Sequence, residues 1–308
     1  MVDDNFIANK AKAKELLIEI VKWPEQHGYP LSLNTEASLD LADEPELLEL
    51  LVKANFTSVF IGIESPRNAS LEETLKFQNT RAGTTEDKIQ RVRDAGLMIT
   101  AGFIVGFDSD DPEIFQEQYD FINRIAVAKA AIAILTPIPT TPLYDRLKAE
   151  GRLKPFGEGL QFVPKQIDPQ DLIARYNTLR QDLYEPPVYF QRVFDSITKS
   201  EGFQHARIMM NNRRQRAVSG TPVDKSSRHL KLVYKRLRNA LGKSESGQEV
   251  LGAYKQQWRK NCTLVEGARL GTADFLSACI NHWHYYRIVH EGSSDYIGSS
   301  DGISTAAK

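Results

Sequence analysis

Five acidic residues stand where short apolar runs of the sequence end: Asp3 and Asp4, Glu36, Glu64 and Asp108. Carboxylates brought together can accept hydrogen bonds from the hydroxyl and ammonium groups of a ligand, or hold a hard divalent cation. Each one singly can also cap the helix that follows it. Gly102-Phe-Ile104-Val-Gly106-Phe-Asp108 sets two glycines on one side of a strand, where packing is lost unless something, such as a flat ring, must approach the backbone closely. A bulge or a close helix–sheet contact would call for glycine equally. The two cysteines, Cys262 and Cys279, are too few for a disulfide framework or for a closed four-cysteine zinc or iron–sulfur site. Cys279-Ile-Asn-His282-Trp-His284 combines thiolate and imidazole, which suit zinc. On a helix, however, Cys279 and His282 share a face and His284 turns away, so a buried thiol and interfacial histidines in an aromatic-rich helix explain the run more simply. Serine-hydrolase, phosphate-loop and zincin motifs do not occur.

These side chains need elements to position them. From residue 1 to about 150, short apolar runs alternate with longer amphipathic stretches. Residues 7–23 place Ile7, Leu16, Leu17, Ile20 and Val21 at helical spacing, and Gly28-Tyr29-Pro30 ends that helix. Residues 30–34 read as a strand, and 43–54 as a helix with Asp43 as N-cap and Leu47, Leu48, Leu51 and Val52 as its buried stripe. The pattern then repeats: strand 58–63, helix 70–93 with a break near Gly83, strand 97–105, helix 111–127 and strand 130–136. Such alternation predicts parallel βαβ units whose ligand sites lie at the carboxyl ends of the strands, where the acidic residues fall. Proline and glycine between 136 and 160 mark an exit and a linker. A helix then runs from Asp168, as N-cap, through Tyr184 to a stop at Pro186-Pro187, and the remainder reads as helical.

The chain has 308 residues, 41% apolar and 26% charged, with 39 Lys+Arg against 40 Asp+Glu. That is the composition of an ordinary globular protein, which excludes collagen-like, disordered and membrane-bundle classes, and its length predicts two domains. Without a spanning apolar run or a signal-peptide pattern, a cytoplasmic setting is expected. The balance hides an asymmetry: residues 1–200 sum to −9, residues 201–243 to +9 and residues 244–308 to −1. A change of architecture near residue 200 would account for it. Arg213-Arg-Gln-Arg216 and Lys235-Arg-Leu-Arg238 could meet nucleic-acid phosphates, but no aromatic platform interleaves them. A solvated helix face, or contact with an acidic face of the first half, is the simpler reading, and nucleic acid is not expected as a partner.

Taken in order, Val2-Asp-Asp-Asn-Phe6, Thr35-Glu-Ala-Ser-Leu39, Phe60-Ile-Gly-Ile-Glu64, Gly102-Phe-Ile-Val-Gly106 and Pro139-Thr-Thr-Pro-Leu-Tyr144 resemble the radical S-adenosylmethionine enzymes of the cobalamin-binding type. The nearest resemblance is to the subgroup with a further C-terminal domain of unknown function, which would also account for Phe162-Val-Pro-Lys165 and the helix beyond it. It covers about residues 1–200 well and the remainder loosely. The resemblance implies a partial barrel that binds S-adenosylmethionine against a 4Fe–4S cluster and cleaves it to a 5′-deoxyadenosyl radical. It implies Asp3 and Asp4 at the methionine amino group, and Glu36 and Glu64 toward the ribose or methionine end. The strand through Gly102, Ile104 and Gly106 would lie against the adenine, with Asp108 at its end completing the cofactor-binding set. Many members transfer methyl groups through cobalamin held in a separate N-terminal domain. The resemblance also calls for a CxxxCxxC loop after the first strand, which this sequence does not contain.

The expected fold class is therefore α/β: a partial radical-SAM-type (β/α) barrel lacking its first strand at 1–150, a mainly helical C-terminal domain of unknown function at 151–291 and a disordered tail at 292–308. The expected role is that of a fragment of such an enzyme, inactive alone, with an unpaired strand edge at residues 1–4. The missing N-terminal part or a complementary chain would bring the 4Fe–4S cluster and cobalamin, and the small-molecule substrate is unspecified. Two alternatives stand beside it. One is a divalent-metal-dependent lyase or hydrolase using the strand-end carboxylates, and the other a non-catalytic binding module working through the basic helices.

Overall fold

The computed structural model describes residues 4–73, 83–155, 159–217, 224–262 and 270–290, with the side chains of 214–229 outside that set. Asp3, residues 74–82 of the stretch read as helical, and the tail 292–308 lie outside the described residues. By packing, residues 1–176 and 192–225 form one unit, and residues 177–191 and 226–308 another.

The first unit is built on a parallel sheet. After α1 (Lys10–His27) come β1 (Leu33–Ala37), α2 (Pro45–Lys53), β2 (Phe56–Glu64), α3 (Asn68–Glu73), α4 (Thr85–Asp94), β3 (Met98–Val105), α5 (Ile114–Arg124) and β4 (Lys129–Ile134). The strands pair in the order β1-β2-β3-β4, all parallel. Right-handed crossovers between successive neighbours put every connecting helix on the same face. A sheet whose order never reverses is a stretch of barrel wall, whereas a doubly wound sheet has a switch point. The α/β partial-barrel class is thus borne out. Val59, Ile61 and Ile63 of β2 and Ala101, Phe103 and Val105 of β3 are buried on the helix-covered face. Phe103 meets Phe121 of α5 edge-on, centroids 6.4 Å apart.

Several local readings change. Asp43 does not cap α2: it closes a 3₁₀ turn, Leu39–Asp43, and Glu44 takes the cap position without a side-chain hydrogen bond. Pro45 at the first helical position starts the helix with its fixed φ and without an N–H that would otherwise be unpaired. Asp43 instead accepts from Lys88 of α4 at 2.9 Å and is ion-paired with Arg91 at 2.9 Å, and Lys88 is fully buried. Helix α4 begins with a capping box in which Asp87 N donates to Thr84 Oγ1 at 3.1 Å and Thr84 N to Asp87 Oδ2 at 3.3 Å. No strand is found at Asp4, the one residue of the stub that is described, and Phe6 N donates to Glu36 O beside β1 at 2.9 Å.

The stretch read as a linker holds α6 (Pro142–Ala149), opened by Thr141, whose hydroxyl accepts from Tyr144 N, and an antiparallel bridge between Leu153 and Phe162. Asp168 caps α7 (Pro169–Leu183) as expected, accepting from Gln170 N at 2.8 Å and Asp171 N at 3.2 Å. Pro186, besides following that helix, opens α8 (Pro186–Thr198). The rest is helical, as expected: α9 (Glu201–Ala217), α10 (Asp224–Leu241), α11 (Glu245–Cys262) and α12 (Thr272–His290). Among the described residues no helix is long and apolar enough to cross a membrane.

The second unit has an aromatic core around His282, which is fully buried. His282 Nε2 lies 2.8 Å from the Tyr184 carbonyl and Nδ1 2.8 Å from the Tyr254 hydroxyl. The carbonyl can only accept, so Nε2 carries the proton, and the single hydroxyl proton of Tyr254 faces two acceptors in the neutral ring, Nδ1 at 2.8 Å and the Cys279 carbonyl at 3.1 Å. Cys279 is buried in the same core, and burial pushes its thiol well up. Both residues are therefore packing groups, in agreement with the simpler reading of that run.

Candidate functional site

Strand register decides which residues share the sheet's inner face, the one opposite the helices. Glu36 of β1 pairs with Phe60, Phe60 with Thr100 and Thr100 with Lys129, so these four form one row across the sheet. The next row toward the carboxyl ends is Gly62, Gly102 and Ala131, and Ile104 lies beyond it beside Ala133. Of the expected residues, Glu36, Gly102 and Ile104 are brought to one face. The Glu36 side chain is exposed and makes no ion pair or hydrogen bond among the described residues. Lys129 is mostly enclosed, and burial lowers its ammonium below the usual range. A Cβ on Gly102 would sit 3.0 Å from Phe60 Cζ. The flat ring resting on this glycine is the protein's own.

Glu64 ends β2 in an uncommon conformation, φ +71°, with Ser65 N donating back to Ile63 O at 3.0 Å across a three-residue turn. Such a backbone persists in a non-glycine residue only when its surroundings hold it. The holding group is Gln118 of α5, fully buried, whose Nε2 donates to Glu64 O at 3.2 Å and Ile104 O at 3.1 Å where the β2–β3 register shifts. Asp4 is exposed, next to Asn5, whose side chain bonds Ser38 at the end of β1.

Two expected residues do other work. Gly106 lies beyond β3, with φ +103°, and a Cβ there would come 3.3 Å from Phe162, so this glycine serves a turn and a packing contact. Asp108 does not open toward a ligand. Its carboxylate is taken by Arg152 (2.6 Å), Lys165 (2.9 Å) and Arg146, while its own N–H donates to Glu73 at 3.0 Å. Burial alone would raise its carboxyl, but the hydrogen bonds from Arg152, Lys165 and Arg146 outweigh that and hold it well below the usual carboxylate range.

The acid that shapes this end of the sheet is Asp110, two residues on. It is buried and accepts from Gly106 N (2.8 Å), Phe107 N (3.0 Å) and Ser70 Oγ (2.9 Å). Asp110, Gln118 and Glu73 all escape a reading centred on strand ends. For Gln118 a signal exists: it is a polar residue inside the apolar stripe of α5, among Ile114, Phe115, Phe121 and Ile122. Among the described residues no three His, Cys, Asp or Glu side chains converge as metal ligands. A 4Fe–4S cluster does not fit the residues present either, since the sequence has only Cys262 and Cys279.

Residues 141–296, just over half of the chain, match the family described as "Domain of unknown function (DUF4070)". The chain belongs to this family. It is 40% identical over 206 residues to an uncharacterized methyltransferase of Synechocystis, covering 65% of this chain and 38% of that protein. It is 33% identical over 191 residues to the hopanoid C-2 methylase of Rhodopseudomonas palustris, covering 62% and 36%. With the bacteriochlorophyllide d C-12(1)-methyltransferase of Chlorobaculum tepidum it shares 25% identity over 164 residues, covering 52% and 36%. The chain thus spans well under half the length of these curated relatives. A solved radical S-adenosylmethionine methyltransferase, TsrM from Kitasatospora setae, aligns with a TM-score of 0.46 at 18% identity over 70% of this chain and 53% of that one, a likeness too low to carry an argument. The family resemblance read from the ordered motifs, including its C-terminal domain of unknown function, is borne out. Arg146, Arg152 and Lys165, which hold Asp108 at the end of β3, all lie within the DUF4070 match.

Proposed function

We propose that this chain is the ligand-holding part of a radical S-adenosylmethionine methyltransferase, with S-adenosylmethionine received on the inner face of the sheet. The observation that carries the reading is the row Gly62–Gly102–Ala131, three residues with no bulky side chain of their own on the inner face of a parallel, singly wound sheet, where the Phe60 ring rests on Gly102. Glu36 stands on the neighbouring strand and Glu64 at a strained strand end. The donor set fits the ligand: carboxylates suit a ribose diol and an ammonium group, and Phe60, seated on Gly102, offers an apolar ring to an adenine. The methyltransferase names of the relatives support the reaction class.

S-adenosylmethionine, when bound, supplies the transferable methyl group. The chain's own part is to hold and orient it, with Gln118 fixing the backbone of Glu64. In this proposal the cluster and cobalamin come from polypeptide outside this sequence, and the carboxylates serve the ligand, not a divalent metal. The test is equilibrium dialysis of labelled S-adenosylmethionine against the chain and two variants. Saturable binding is expected, weakened at least tenfold in Glu64→Gln and in Gly102→Val, whose side chain would displace Phe60. Absence of binding, or equal binding by both variants, would overturn the reading.

A further inference from the structure

A cavity of about 440 Å³ lies among α2, α4 and α9 of the first unit, on the helical layer away from the inner face of the sheet. Its floor is apolar, made by Ala42, Pro45, Leu48, Val52 and Ala95. Around the rim most charges are engaged. Lys53 holds Glu49 at 2.7 Å, Arg91 holds Asp43 at 2.9 Å, and Asp94 accepts from Gln90 at 2.7 Å and from the Ser200 hydroxyl. Arg213 makes no ion pair or hydrogen bond among the described residues, although its charge is felt at Tyr29 and Glu49.

The volume falls within the ~300–1,000 Å³ of small-molecule sites, which are apolar with a few polar anchors. A neutral guest would leave the guanidinium unused. A multiply charged anion would face Glu49 and Asp94 on the same rim. An apolar body with one anionic head satisfies both conditions. We propose that this cavity binds a small amphiphile with a carboxylate head, the planar fork of Arg213 taking the two carboxylate oxygens. The site is independent of S-adenosylmethionine binding.

The test uses decanoate labelled with ¹³C at the carboxyl carbon, titrated into the full chain below its aggregation threshold and followed by NMR. A saturable shift is expected, with Kd raised at least fivefold in Arg213→Gln and in Val52→Trp, which fills the floor. Decan-1-ol is expected to bind at least fivefold more weakly than decanoate to the unmodified chain. Far-ultraviolet circular dichroism of each variant checks its fold, and the two variants act on different parts of the cavity, so one that folds suffices. Absence of saturable binding, a change below fivefold in a folded variant, or decan-1-ol binding within fivefold of decanoate would overturn the proposal.

Discussion

The carboxylate of Asp108 is 11% exposed and shared among Arg146, Arg152 and Lys165, so removing its charge leaves three cations facing a neutral amide. Lys165 is about half exposed and Arg146 more than a third, which moderates the loss through solvent screening. Asp108→Asn is expected to cost about 1.5–3 kcal/mol at pH 7, the range for hydrogen bonds to charged groups. The folded value lies below the ~3.9 of an unfolded aspartate, so the contribution is fully present above that value and is lost as the pH falls below it toward the folded one. Urea unfolding at pH 7, 5 and 3 should therefore show wild type and variant differing equally at the first two and by less, though still measurably, at the third; a constant gap would show that the cations do not hold this carboxylate. Gly106→Ala meets a different obstacle, a positive φ and a Phe162 contact at 3.3 Å, and should cost about 1–3 kcal/mol in the same assay at every pH.

At the scale of elements, the joints between helices and strand ends rest on few polar groups. Arg67, just before α3, grips Glu117 of α5 with two bonds of 2.7 Å and reaches Asp111 at 2.9 Å and the Ser109 carbonyl at 3.1 Å. Lysine keeps the charge but not the fork, so Arg67→Lys should cost roughly 1–2 kcal/mol, against about 1 kcal/mol for Thr84→Ala at the α4 capping box. Denaturant midpoints rank the two, and an Arg67→Lys midpoint equal to that of the wild type would show that the fork adds nothing. The strands were legible because alternating burial is written in Val59-Phe-Ile-Gly-Ile63 and Ile99 to Val105, and burial follows it. Asp43 was misread because a carboxylate before an apolar helix looks like a cap, while its true partners, Lys88 and Arg91, are 45 and more residues away. Asp108 and Asp110 could not be told apart for the same reason. The cations that claim one and the amides that bind the other become neighbours only once the chain turns at Gly106.

Across the whole molecule, the proposed radical chemistry on the sheet would depend on thiolates the chain does not have in sufficient number. Cys279 is buried with its thiol pushed well up, Cys262 is half-buried, and both belong to the second unit while the sheet belongs to the first. A 4Fe–4S cluster needs thiolates that are deprotonated and converge, which two such cysteines do not provide. Anaerobic treatment with iron and sulfide is therefore expected to give no stable 4Fe–4S absorption and no 5′-deoxyadenosine from S-adenosylmethionine with the chain alone. Adding a polypeptide that carries a CxxxCxxC loop should restore both, and in that mixture Glu64→Gln should lower turnover while leaving the cluster absorption unchanged, because in the proposed arrangement the carboxylate serves the ligand and not the iron. A stable cluster in the chain alone would refute the division of labour. Restored turnover insensitive to both Glu64→Gln and Gly102→Val would place the ligand away from the inner face of the sheet while leaving the need for a cysteine-bearing partner intact.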